Sequence, residues 1–148
     1  MKRFVSVSLL LILFGCVYQP VGHKELPAIT YKEGIPGKII VVRISSFVGV
    51  LIDFEVAIDG KKPFLFGSGE YTEFTLTQGE HYITLRWIQW GFFVGTQYED
   101  TLRFVVKGSQ TIYFLVSPLS WKGAKIRLSN ETEAKKHIER SKFVNFEN

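Results

Sequence analysis

Residues 54–85 read FEVAIDGKKPFLFGSGEYTEFTLTQGEHYITL, and their period is two. Phe54, Val56 and Ile58 alternate with Glu55, Ala57 and Asp59, the pattern of a strand with one buried face. Asp59-Gly60 follows at once, a dipeptide suited to a tight hairpin turn because both central positions need positive φ. GSGEYT at 67–72 lacks the third glycine of a dinucleotide loop and precedes a strand rather than a helix, so it reads as another turn. Thr72, Phe74 and Leu76 then alternate with Glu73, Thr75 and Thr77. Gln78-Gly79 turns the chain, and Ile83, Leu85 and Trp87 face inward against Tyr82, Thr84 and Arg86.

The same pattern continues downstream. Leu102, Phe104 and Val106 alternate with Thr101, Arg103 and Lys107, and Lys107-Gly108-Ser109 leads into Ile112, Phe114 and Val116. Short strands with turn signals at this spacing predict a mainly β domain over 38–148, an antiparallel β-sandwich of immunoglobulin-like or related Greek-key type. Phe54, Ile58, Phe74, Leu85 and Phe104 are its expected core. Near the end, Asn130 with Glu133 three residues later forms a capping-box pattern. It predicts one short C-terminal helix over 131–141 that packs Ala134 and Ile138 on the sheet.

The other end of the chain carries an address. Lys2 and Arg3 precede an apolar or small run over 4–15, the pattern of a secretory signal peptide. The run is too short to span a bilayer, which takes about 20 residues. It ends Leu13-Phe14-Gly15-Cys16, which resembles the lipobox of bacterial lipoproteins. That resemblance implies removal of residues 1–15 and acylation of Cys16 with diacylglycerol. Two or three acyl chains hold more firmly than a single one, each buried methylene adding about 0.8 kcal/mol. Residues 16–37 then form the lipidated cysteine and a tether punctuated by Pro20, Pro27 and Pro36, although Ala28-Ile29-Thr30-Tyr31 has the character of an edge strand. Val17 stands where an aspartate would favour retention in the inner membrane, which points to the periplasmic face of the outer one.

RISSFVG (43–49), the stretch 54–85 and GSQTIYFLV (108–116) together resemble the bacterial family called domain of unknown function 2846, often carried on lipoproteins. The likeness covers roughly residues 38–128. Gln78 replaces that family's proline before Gly79, and RWIQWGFFVGTQY (86–98) is longer than its usual connection. The resemblance implies a small β-sandwich with a C-terminal helix and assigns no catalytic residue.

Charge and side-chain chemistry narrow the function. Loss of Lys2 and Arg3 with the leader lowers the net charge from +4 to +2, which removes the main support for nucleic-acid binding. Cys16 is the one cysteine, so its lipidation leaves no thiol for disulfide, metal or nucleophile. His23, His81 and His137 lack metal-ligand spacing, and His81, just after a turn, reads as structural. Asp53, Glu55 and Asp59 read as a solvated strand face. No metal or cofactor is expected.

Two surfaces stand out instead. WIQWGFFVG (87–95) places Trp90, Phe92 and Phe93 where a hairpin end should be, and Phe47-Val48-Gly49 echoes Phe93-Val94-Gly95. Trp90, Phe92, Phe93 and Phe47 form the candidate interaction surface, since contiguous exposed apolar residues mark interfaces. The other reading of 87–95 is two strands continuing into the core. From Lys122 onward basic residues outnumber acidic ones, which suits either a solvated helix face or anionic headgroups. The expected function is that of a non-catalytic bacterial envelope lipoprotein, held to a membrane through Cys16 and binding an envelope protein or surface polymer. The alternative is a lipoprotein that binds a small apolar or sugar ligand between sheet and helix, or more remotely a hydrolase.

Overall fold

The structure, a computed structural model, describes residues 31–47, 53–87, 98–119 and 123–146. Cys16, the leader, most of the tether and Trp90, Phe92 and Phe93 lie outside these. The chain runs β1 (Tyr31–Arg43), β2 (Phe54–Ile58), β3 (Phe64–Phe66), β4 (Glu70–Trp87), β5 (Tyr98–Val106), β6 (Thr111–Pro118), β7 (Ala124–Ser129), α1 (Glu131–Ile138) and β8 (Lys142–Phe143). The protein is mainly β with one short helix near its C-terminus. Residues 31–37, which prolines and glycines assign to the tether, belong to β1 and pair with β4 at Tyr31↔Gly79 and Lys32↔Gln78.

Strand β4 organises everything else. Gln78-Gly79 is not a hairpin turn, because the strand runs through it, with Gly79 at a φ of 146° that favours glycine. Gly79 pairs with Tyr31 on one edge and with Val106 on the other. The first half of β4 is therefore flanked by β1, and the second half by β2 and β5. The second half folds back over the first. Arg43 follows Val42, which pairs with Tyr71 early in β4. Its guanidinium nevertheless lies 4.1 Å from the ring centroid of Phe54, which pairs with Trp87 at the end of β4. Two layers result, one built on β1, β6, β7 and the start of β4, the other on β2, β3, β5 and its end.

The sheet is mixed rather than purely antiparallel. β1 pairs with β6 in parallel from Lys38↔Thr111 to Arg43↔Val116, and the short β8 pairs with β4 in parallel. Alternation has the same period in both arrangements, so it carries no sign of strand direction. The continuous run Ile39, Ile40, Val41 and Val42 is buried on both faces, as expected for a strand covered on both sides. Ile39 and Val41 face the core between the layers, with Phe54, Val56, Ile83, Leu85, Phe104 and Phe114. Ile40 and Val42 face outward under α1, where Leu115, Ala134 and Ile138 complete a second cluster. Ala134 and Ile138 thus pack on the sheet as expected, making a third layer. Phe54, Ile58, Leu85 and Phe104 are buried, whereas Phe74 is only partly so because it borders a surface cleft.

The helix begins where its capping residues place it. Asn130 Oδ1 accepts the Glu133 backbone N–H at 2.8 Å. The Glu133 carboxylate accepts from Arg127 Nη1 and Nη2 at 3.0 and 2.5 Å and from Ser129 Oγ at 2.7 Å. The helix ends at Ile138, short of 141, where Ser141 Oγ closes on the His137 carbonyl at 2.8 Å. The Arg127 hydrogen bonds, then that of Ser129, hold the Glu133 carboxyl at about 2, below the ordinary 4.5. A carboxyl depressed in the folded state stabilises fully above its unfolded value and loses that contribution as pH falls through its folded one. The docking of α1 should accordingly weaken between pH 4.5 and about 2. Amide NMR shifts along α1 would show an acid step that Glu133→Gln abolishes, and an identical step in that variant would refute this assignment.

Candidate functional site

Two buried polar clusters come first, because buried titratable groups mark active sites as well as frameworks. At the Asp59-Gly60 turn, φ is positive at both residues, 54° and 66°. This turns the Asp59 side chain out of the strand's alternation and into the interior. Its Oδ1 accepts the Tyr82 N–H at 3.1 Å, and its Oδ2 lies 2.7 Å from His81 Nδ1. His81 Nε2 donates to the Thr77 carbonyl at 2.8 Å across the bend of β4, and the ring stacks on Phe104. Both ring nitrogens of His81 are thus engaged inside the domain, although the residue sits within β4 and not after a turn. Asp59 is not on a solvated face, since its side chain and that of His81 are each 1% exposed.

Arg43 is the second cluster. It is fully buried, its guanidinium stacks on Phe54, and Nη1 donates to the Phe66 carbonyl. Burial lowers its pKa to about 10, opposed by the charges of Asp53 and Glu70. The side chains of both clusters are almost fully buried. Both tie one layer, or one half of β4, to the other. Among the described residues, no three His, Cys, Asp or Glu side chains gather in a metal-binding group.

Accessible candidates lie elsewhere. Phe47, four residues past the end of β1, is 95% exposed. Trp87, from which the chain enters 88–97, pairs with Phe54, just after the 48–52 segment. Both connections therefore leave from one end of the domain. Leu119, 44% exposed, joins that end because Val116 pairs with Arg43 and accepts the Ile44 N–H. Leu119 leaves little trace in the sequence, being an apolar residue just beyond the strand-ending Pro118.

A cleft of about 640 Å³ opens on one side of the domain, between the β2–β3 turn, β3, β4 and the C-terminal segment. Lys61, Lys62, Phe64, Leu65, Phe74 and Phe146 line most of it. The ring of Phe64 packs 4.2 Å from that of Phe146 and 5.2 Å from that of Phe74, centroid to centroid. Strand β8 pins the C-terminal wall through Lys142 N–H to Gly69 and Val144 N–H to Tyr71. No residue of α1 lines the cleft, so it is not the site between sheet and helix that the sequence suggests. No protein-family model matches the chain, and no curated protein matches it.

Proposed function

We propose that the chain is a non-catalytic bacterial envelope lipoprotein. Cys16 carries the lipid anchor at the periplasmic face of the outer membrane, and the β domain offers its far end to an envelope protein or a surface polymer. The observation that carries this reading is the polarity of the domain. The chain arrives from the Cys16 side at Tyr31, beside the bend at Gly79. Strand β1, 13 residues long, then runs away from it alongside β4 from Gly79 to Tyr71, roughly 25–30 Å at about 3.3 Å per residue. Its other end bears the exposed Phe47 and Leu119. An anchored domain of this build presents those residues away from the bilayer. The connection that holds Trp90, Phe92 and Phe93 leaves from the same end, and aromatic residues are frequent interface anchors. The likeness to domain of unknown function 2846, often carried on lipoproteins, agrees with this role.

The test has two arms. Cys16→Ser should abolish acyl labelling and leave the precursor uncleaved; processing to mature size with lipid attached would refute the anchor. Changing Phe47, Phe92 and Phe93 together to Ser in the lipidated protein should reduce co-purification from solubilised envelopes while leaving Tm unchanged. Unfolding of that variant would place the aromatics in the core and refute the interface.

A further inference from the structure

We infer that the cleft beside β3 binds a single-chain amphipathic carboxylate, its head at Lys61 and Lys62 and its apolar body over Phe64, Phe74 and Phe146. This proposal depends neither on Cys16 nor on the Phe47 end. Three observations carry it.

The first is the state of the lysines. Both are exposed and follow the Asp59-Gly60 turn directly. Among the described residues neither forms an ion pair, whereas Lys38 lies 2.6 Å from Glu73 and Lys135 lies 2.6 Å from Glu131. None of the described lining residues is acidic. Two adjacent ammonium groups at the mouth of a cleft, with no ion pair among the described residues, favour an anion. The second is the floor. Phe64, Phe74 and Phe146 pack against the main core yet remain only partly buried, and Leu65 at the rim is 60% exposed. An apolar ligand body would cover this surface. The third is size. About 640 Å³ falls within the roughly 300–1,000 Å³ of small-molecule sites.

Cationic rim and aromatic floor together select a molecule with a charged head and an apolar body. A neutral sugar fits less well. It needs several placed donors and acceptors, and Asn145 is the one uncharged polar side chain among the described lining residues. The C-terminal wall is held by backbone hydrogen bonds, so the cleft is largely formed before a ligand arrives.

Photolabelling of the full-length chain in nonionic detergent tests this. The probe is hexadecanoic acid carrying a diazirine on its chain, beside the alcohol with the same diazirine. The acid should label peptides containing 61–65, 74 or 145–146, and excess hexadecanoate should suppress the labelling. Lys61→Gln with Lys62→Gln should lower it about tenfold, the order expected for two partly solvated charge contacts. Lys61→Arg with Lys62→Arg should restore it, and Tm should be the same in all three proteins because both lysines lie on an exposed turn. Equal labelling by the alcohol, full labelling of the Gln variant, or labels confined to other peptides would each overturn the proposal. So would competition by phosphatidylglycerol vesicles without competition by hexadecanoate, which would assign the cleft to a lipid headgroup.

Discussion

Replacing Arg43 with Ala should lower the stability of the domain by about 3–5 kcal/mol, read as a shift of the urea midpoint. Among the described residues, Arg43 heads the fully buried side chains by size. Its guanidinium lies over Phe54 and donates to the Phe66 carbonyl, while its backbone belongs to β1 in the opposite layer. Alanine leaves a cavity where the layers meet and removes the donor that Phe66 faces. The loss is large beside the roughly 5–15 kcal/mol that holds an ordinary domain together. Arg43→Met separates volume from charge. It fills most of the space and avoids burying a cation, a burial whose cost shows in the pKa lowered to about 10. Methionine should therefore cost clearly less than alanine. If alanine cost less than about 1 kcal/mol, the layers would have to be held without this side chain, and its central place in the fold would be wrong.

Much of the architecture is legible in the sequence because alternation is a local property. β2, the second half of β4, β5 and β6 each show their buried face in the parity of Phe54, Ile83, Phe104 and Phe114. The helix start is legible because Asn130 and Glu133 act within one turn. What escapes is whatever depends on remote partners. The parallel β1–β6 pair joins segments more than 70 residues apart, and nothing local encodes its direction. The bend of β4 escapes because Gln78-Gly79 looks like a hairpin, yet Gly79 finds partners on both edges and stays in the sheet. His81 did leave a trace. It shares the inward parity of Ile83, Leu85 and Trp87, and a histidine at a core position needs partners for both ring nitrogens. Asp59 left none, because by parity it points outward and only its positive φ turns it in. The cleft was illegible for a similar reason. Its walls come from β3, β4 and a C-terminal segment that reads as featureless until β8 is paired.

Asp59→Ala is expected to match the Arg43 loss, at about 3–5 kcal/mol, through an independent mechanism at the opposite end of the domain. The Thr77 carbonyl can only accept, so His81 Nε2 carries a hydrogen. Nδ1 faces the carboxylate at 2.7 Å, and the other oxygen of that carboxylate takes the Tyr82 N–H. Alanine removes both acceptors from a site closed to water and must also hold a φ of 54°, which an alanine disfavours by about 1–2 kcal/mol. Asparagine is the discriminating variant. It tolerates the left-handed region, its oxygen can still accept from Tyr82, and its amide can donate to Nδ1 of a neutral ring that keeps its hydrogen on Nε2. Asp59→Asn should therefore lose much less, about 1 kcal/mol. Hydrogen exchange at the Tyr82 amide should accelerate in the alanine variant and stay near the native rate in the asparagine one. Equal losses in the two variants would mean that the charge of Asp59 matters rather than its acceptor geometry. A negligible loss in both would mean that Gly79 and the core bend β4 by themselves, with His81 a passenger.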